Sequence, residues 1–231
     1  MLFEIIARID QRHRIPFYGS TLFLEDVISL SQNRLLCGDH VNGLVYSTRS
    51  HNMHITEEEK VHIQNDNEDR PLFCLYFSLY RTTFDLQAKL SNTLPELIQR
   101  ECTMGLIINH TNTHWYLVVL TFRNNSTPVT VKVRDSHLTH CTVNDHKRQV
   151  KTIFETIHRT YEDLQMNTPY WITEQINHPK FEVGRRRPQT ESECGIEVAN
   201  HWADVLIENE IQPVNSNWTR HTFTECIRNA S

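Results

Sequence analysis

No stretch of this sequence reaches the roughly 18 consecutive apolar residues that a membrane-crossing helix requires, so no spanning segment is expected. Positive charge is not in excess. Twenty-three Lys and Arg against 28 Asp and Glu leave a net charge of -5, which removes the usual electrostatic reason to expect a nucleic-acid partner. The six cysteines, at 37, 74, 102, 141, 194 and 226, are widely spaced and form no C-x-x-C pair. That argues against a cysteine metal site and for free thiols in a reducing, intracellular compartment. Histidine pairs such as His51/His54, His110/His114 and His137/His140 fall in loops or strand-like text and read as surface histidines, so no metal and no cofactor is expected. Glycine is scarce, 6 in 231 residues, and no glycine-rich phosphate loop is evident. No internal repeat or low-complexity linker divides the chain. The opening MLFEIIARIDQRHR is too short and too charged for a secretion signal and reads as an amphipathic helix.

What is present fits a soluble globular protein of 39% hydrophobic and 22% charged residues, built as one α+β domain. Residues 1–19 read as a helical extension ending in a loop with Pro16 and Gly19, and 20–231 as the main domain. In LLCGDHVNGLVYSTRS the positions Cys37, Val41, Leu44 and Val45 repeat at helical spacing, while 51–70 is a polar, acidic surface segment or a loosely packed helix. PLFCLYFSLYRTTF is a buried strand or a buried helix. KLSNTLPELIQREC is a helix with Thr93 as N-cap and Pro95 in its first turn. CTMGLIINH and HWYLVVLTF are apolar strands, and VTVKVRDS alternates at period two. DHKRQVKTIFETIHRTYEDLQ carries Val150, Ile153, Ile157 and Tyr161 on one helical stripe. NTPYWITEQI and HPKFEVG read as irregular or strand pieces. A helix over Cys194 to Glu208 and a last turn at TFTECIRN close the chain.

Two places carry chemistry. If the turn after HWYLVVLTF centres on Asn125 and Ser126, antiparallel pairing sets His114 opposite His137, and Asp135 shares a face with His114. A carboxylate beside an imidazole fixes its tautomer and stabilises its cation. The ordinary alternative is a strand-end histidine and a turn-forming Asp-Ser. In RRRPQTESECGIEV, either a Thr190–Glu193 capping box or Ser192 as N-cap puts Cys194 in the first turn, where the helix dipole favours a thiolate. Gly195 leaves room beside the sulfur, and Gln189 is placed to donate to an oxyanion. A cysteine at a helix start is, taken alone, more often structural.

The ordered set His114-Trp115, Asp135-Ser136, Gln189 and Cys194-Gly195 resembles the active site of the ubiquitin-like-protein proteases, the SUMO-protease and adenain-like clan CE cysteine peptidases. LLCGDHVNGLVY is similar to the helix start that borders the substrate tunnel in that family, with Asp39 at its last acidic position. The resemblance covers roughly residues 20 to 225 and departs at two points. Leu36 falls where a tryptophan is usual, and the Gln-to-Cys spacing is one residue shorter. It implies a papain-like or adenain-like fold, a central mixed, mostly antiparallel sheet flanked by helices. It implies a monomeric isopeptidase or C-terminal hydrolase cleaving after the Gly-Gly of ubiquitin or a ubiquitin-like protein such as SUMO or NEDD8. Cys194, His114, Asp135 and Gln189 would be catalytic. Trp115, Leu36, Asp39 and Gly195 would line the substrate tail. The compartment implied is cytoplasm or nucleus, or a host cell for a secreted effector. The alternatives are an effector-type acetyltransferase on the same triad and a catalytically inactive module that binds ubiquitin-like proteins.

Overall fold

The computed structural model of this chain describes residues 14–17, 20–23, 36, 38–48, 53–56, 61–64, 72–79, 86–88, 90, 91, 94, 101–111, 113–123, 128–136, 141–184 and 193–230. The helix expected over residues 1–12, Thr93, Gln189, Thr190 and Ser192 lie outside them. By their contacts the residues fall into two compact units, Asn52–Arg187 and Met1–His51 together with Pro188–Ser231.

The first unit is built on a five-stranded mixed sheet ordered β5-β6-β7-β8-β9, with strands β5 (Leu72–Leu79), β6 (Cys102–His110), β7 (His114–Phe122), β8 (Thr130–Arg134) and β9 (Glu182–Gly184). The inner pairs β6-β7 and β7-β8 are antiparallel, and the outer pairs β5-β6 and β8-β9 are parallel. Strands β6 and β7 are buried along nearly their whole length, which is why they read as unbroken apolar runs rather than as alternation. The β7-β8 register runs from Leu117 opposite Arg134 to Thr121 opposite Thr130, as a turn centred on Asn125 and Ser126 demands.

Helix α2 (Val143–Asp163) buries Val150, Ile153, Ile157 and Tyr161 against Tyr116, Val118, Leu120 and Phe122 on one face of β7. Thr142 starts it with a capping box: its hydroxyl accepts from the Asp145 backbone N–H, and the Asp145 carboxylate accepts from the Thr142 backbone N–H at 2.9 Å. Helix α3 (Tyr170–Asn177) occupies a stretch read as irregular or strand. Its aromatic and β-branched start looks strand-like, but burial of Trp171, Ile172 and Gln175 on one helical face outweighs that propensity. Residues 86–88, 90, 91 and 94 are helical. The acidic 51–70 segment holds an antiparallel hairpin, β3 (Met53–Thr56) with β4 (Val61–Gln64). Met53/Ile55 and Val61/Ile63 alternate with polar residues at period two, a signal that the neighbouring TEEEK run obscures.

The second unit opens with a hairpin, β1 (Arg14–Phe17) and β2 (Ser20–Phe23), where a loop was expected. Helices α1 (Gly38–Ser47), α4 (Cys194–Glu208) and α5 (Arg220–Ala230) complete it. The last extends well past the single turn expected. Asn200 on α4 clasps the Trp218 backbone, accepting from its N–H at 2.7 Å and donating to its carbonyl at 3.2 Å. The Trp218 indole N–H in turn donates to the Thr48 hydroxyl at 2.7 Å. All described polar atoms of this tie are buried, so each bond is costly to lose.

Candidate active site

In the first unit, the candidate histidine is set by the β6-β7 hairpin. His110 pairs with His114 across a short turn in which Thr111 takes a left-handed φ of 53°, strained for a β-branched residue. The Thr111 hydroxyl donates to the His110 carbonyl at 2.8 Å and lies 3.1 Å from the Thr113 hydroxyl, which holds the turn. The turn makes His114 the first residue of β7, on the same face as Tyr116 and the core under α2. Trp115 therefore points to the opposite face, where it is 3% exposed.

Asp135 follows β8 directly, and its backbone N–H donates to the Gly184 carbonyl at 3.2 Å. Its side chain meets His114: Nε2 lies 2.8 Å from Oδ1, with both residues at most 1% exposed. The pairing expected from register is thus present, and His114 is buried rather than at the surface. A second imidazole completes the carboxylate. His146 Nε2 lies 2.9 Å from Asp135 Oδ2, and neither side chain is exposed. An ionised carboxylate only accepts hydrogen bonds, so an ionised Asp135 is matched by a proton on Nε2 of each histidine.

His146 was not singled out in the sequence, although a signal existed. It stands four residues before Val150 on the stripe of Val150, Ile153, Ile157 and Tyr161, which extends the buried face of α2 to the helix start.

Beneath the two histidines lies Tyr116, stacked on His114 with ring centroids 6.1 Å apart and edge-on to His146 at 5.1 Å. Burial, with the nearby Cys141 and Asp135 adding to it, pushes its hydroxyl well above the usual phenol range. Burial also pushes the Cys141 thiol up to about 12, with Asp135 and Asp145 adding to the shift, so Cys141 stays protonated at neutral pH. Among the described residues two groups of possible metal ligands share Cys141: one with Asp135 and His146, the other with His110 and Asp145. In both, the carboxylate already accepts from protein donors, Asp135 from two imidazoles and Asp145 from Thr142.

In the second unit, the surroundings of Cys194 are organised by packing. Cys194 begins α4, is 1% exposed, and is a free thiol, as is Cys141. The N-cap is Glu193, with no side-chain cap bond, so the capping box headed by Thr190 does not start this helix. Cys194 is thus the first residue of α4, at the positive end of its dipole.

Gly195 has a different reason from the one expected. A Cβ there would lie 2.7 Å from Val41 Cγ2 and 3.2 Å from Leu36 Cβ, so the space is filled by this unit's own side chains. Leu36 is 3% exposed, packed under the cysteine helix. Asp39 belongs to α1, but its side chain lies outside the described residues, as does all of Gln189. Arg220 of α5 interacts electrostatically with Glu193 and Cys194. Burial lowers its guanidinium from the usual value, and the two partners oppose that shift.

No protein-family model matches the chain, and no curated protein matches it either. Solved structures do. The C-terminal Ulp1 protease domain, solved in complex with Smt3, the yeast ortholog of SUMO, aligns with a TM-score of 0.55 and 11% identity over 99% of this chain and 89% of that one. Ulp1 with its catalytic cysteine oxidised to a sulfenic acid gives the same TM-score, identity and coverage. The Legionella pneumophila effector RavZ aligns with a TM-score of 0.49 and 12% identity over 86% of this chain and 64% of that one. Among the described residues no helix is long and apolar enough to cross a membrane. The chain has an α+β fold with a mixed sheet, similar to that of the Ulp1 protease domain.

Proposed function

We propose that this chain is a cysteine-type peptidase that cleaves after the C-terminal glycine of ubiquitin or a ubiquitin-like protein, with Cys194 as nucleophile, His114 as general base and Asp135 as its orienting acid. The observation that carries the reading is the buried 2.8 Å contact between His114 Nε2 and Asp135 Oδ1. It commits Nε2 to the carboxylate and makes Nδ1 the nitrogen that exchanges a proton with the thiol. A free thiol at the start of a 15-residue helix supports it, because that helix end stabilises negative charge. The fold supports it too, since Ulp1 is a protease solved with a SUMO ortholog.

His114 takes the Cys194 proton, and Asp135 stabilises the resulting imidazolium. The thiolate attacks the carbonyl carbon of the substrate's last glycine, and the negative charge moves to that carbonyl oxygen. Gln189 and the Cys194 backbone N–H donate to this oxyanion. Losing one such donor typically costs about 100- to 1,000-fold in kcat. The C–N bond breaks as His114 returns its proton to the leaving amine, and water then releases the acyl group from sulfur. Trp115, Leu36 and Asp39 border the glycine tail in this reading. The chain acts as a monomer inside a cell.

The test is a panel of C-terminal electrophile probes built on ubiquitin, SUMO and NEDD8, applied to wild type and Cys194→Ala. Labelling by at least one probe, lost in Cys194→Ala, is expected and identifies the modifier. A folded protein that labels with none of them overturns the reading.

A further inference from the structure

Asp135 holds two histidines, and the reaction needs only one. A lone hydrogen bond to one oxygen leaves a carboxylate poorly fixed, because the terminal torsion of aspartate is broad and roughly two-fold. Here each oxygen meets an imidazole N–H, His114 at 2.8 Å on Oδ1 and His146 at 2.9 Å on Oδ2. The two bonds together set the carboxylate plane, and through it the plane of the His114 ring.

His146 is itself fixed from three sides. Its backbone N–H donates to the Thr142 carbonyl at 3.1 Å in the first bond of α2, whose start the capping box secures. Its ring stands edge-on to Tyr116 at 5.1 Å and to Phe181 at 6.3 Å. Its other nitrogen, Nδ1, is buried and has no hydrogen-bond partner among the described residues. A buried nitrogen left without a partner carries a free-energy cost that an apolar ring at this position would not. The cost is accepted for the bond that Nε2 makes.

We infer that His146 is a positioning residue of the reaction: it locks the second oxygen of Asp135 so that Asp135 presents His114 in one tautomer and one orientation. The inference rests on the cysteine-peptidase reading for its effect on rate. The geometry it describes, one carboxylate clamped by two Nε2–H imidazoles, is independent of any substrate.

Two variants separate position from bulk. Gln at this site carries an amide N–H near the Nε2 position, whereas Phe keeps a ring and removes the donor. With His146→Phe the rate at which the reactive probe labels Cys194 should fall about 10- to 100-fold with little change in half-saturating probe concentration, the scale of loss when a reacting group is slightly misplaced. His146→Gln should stay within about threefold of wild type on the same scale. Imidazole 1H–15N spectra give a readout that needs no activity. In wild type both His114 and His146 should show the Nε2–H tautomer with slowly exchanging Nε2 protons, and His146→Phe should move the His114 signals while His146→Gln restores them.

His114 signals and labelling rate both unchanged in a folded His146→Phe overturn the inference. Should His146→Phe fail to fold, a wild-type His146 carrying its proton on Nδ1 overturns it equally. If no probe labels wild type, the peptidase reading fails, while the spectra still decide whether His146 fixes His114 through Asp135.

Discussion

The two groups of candidate residues, one in each unit, are held in place by opposite means. Around His114 the determinants are polar and directional: a sheet register, a strained turn, and a carboxylate clamped between two imidazoles. Around Cys194 they are apolar and steric, with a helix start seated on Leu36 and Val41 through the missing side chain of Gly195. Hydrogen bonds fix orientation and contribute modestly to net stability, whereas close packing without room for a methyl group is felt mainly as stability. The histidine half should therefore fail in rate before it fails in folding. The cysteine half should fail in both at once.

The largest effect expected is on Asp135. Asp135→Asn keeps the shape but replaces an acceptor of two N–H groups by an amide, and in triads of this logic such a change lowers kcat about 10,000-fold. Probe labelling kinetics on the folded variant measure it. A loss under tenfold would place the base's orientation elsewhere and dissolve the contrast between the halves.

Gly195→Ala comes next and sharpens the other side. The new methyl meets the branched, buried Val41 at 2.7 Å, and neither Val41 nor Leu36 is a flexible surface end. Overpacking of this kind typically costs about 1–3 kcal/mol, read as a lower denaturant midpoint, and the labelling rate should drop with it. A Gly195→Ala protein as stable as wild type would mean that the glycine serves the substrate alone.

The smallest effect is at the start of α2. Thr142→Ala removes the cap and should cost about 1 kcal/mol at pH 7. The penalty has a pH signature. The Thr142 hydroxyl, then its backbone N–H, holds the Asp145 carboxyl below its ordinary 3.8. A depressed folded value means that the stabilisation is present above 3.8 and is lost as pH falls through the folded value. The difference between Thr142→Ala and wild type should thus shrink in urea titrations below that pH, and a difference that grows there contradicts the cap.

Much of the histidine half was legible in the sequence because a hairpin is a local object. A turn centre at Asn125 and Ser126 fixes every pair between β7 and β8, and with them the shared face of His114 and Asp135. The start of α4 at Cys194 was legible for the same reason, an apolar stripe with a polar loop before it. What escaped were features set by packing at a distance in the chain. His146 joined Asp135 only because α2 lies on the β7 face that carries His114, a juxtaposition that local spacing does not encode. The close seat of Gly195 on Leu36 and Val41 likewise joins residues far apart in the chain. The β3-β4 hairpin lay behind a run of charge, and helix α3 behind aromatic and β-branched composition that burial on one helical face outweighed.

The central claim is that His114, oriented by Asp135, activates Cys194. The most direct test is to find by mass spectrometry which of the six cysteines the reactive probe modifies, and to compare its rate in wild type and His114→Ala. The account predicts modification at Cys194 alone, lost in His114→Ala. Modification at another cysteine, or Cys194 labelling at the wild-type rate without His114, contradicts it.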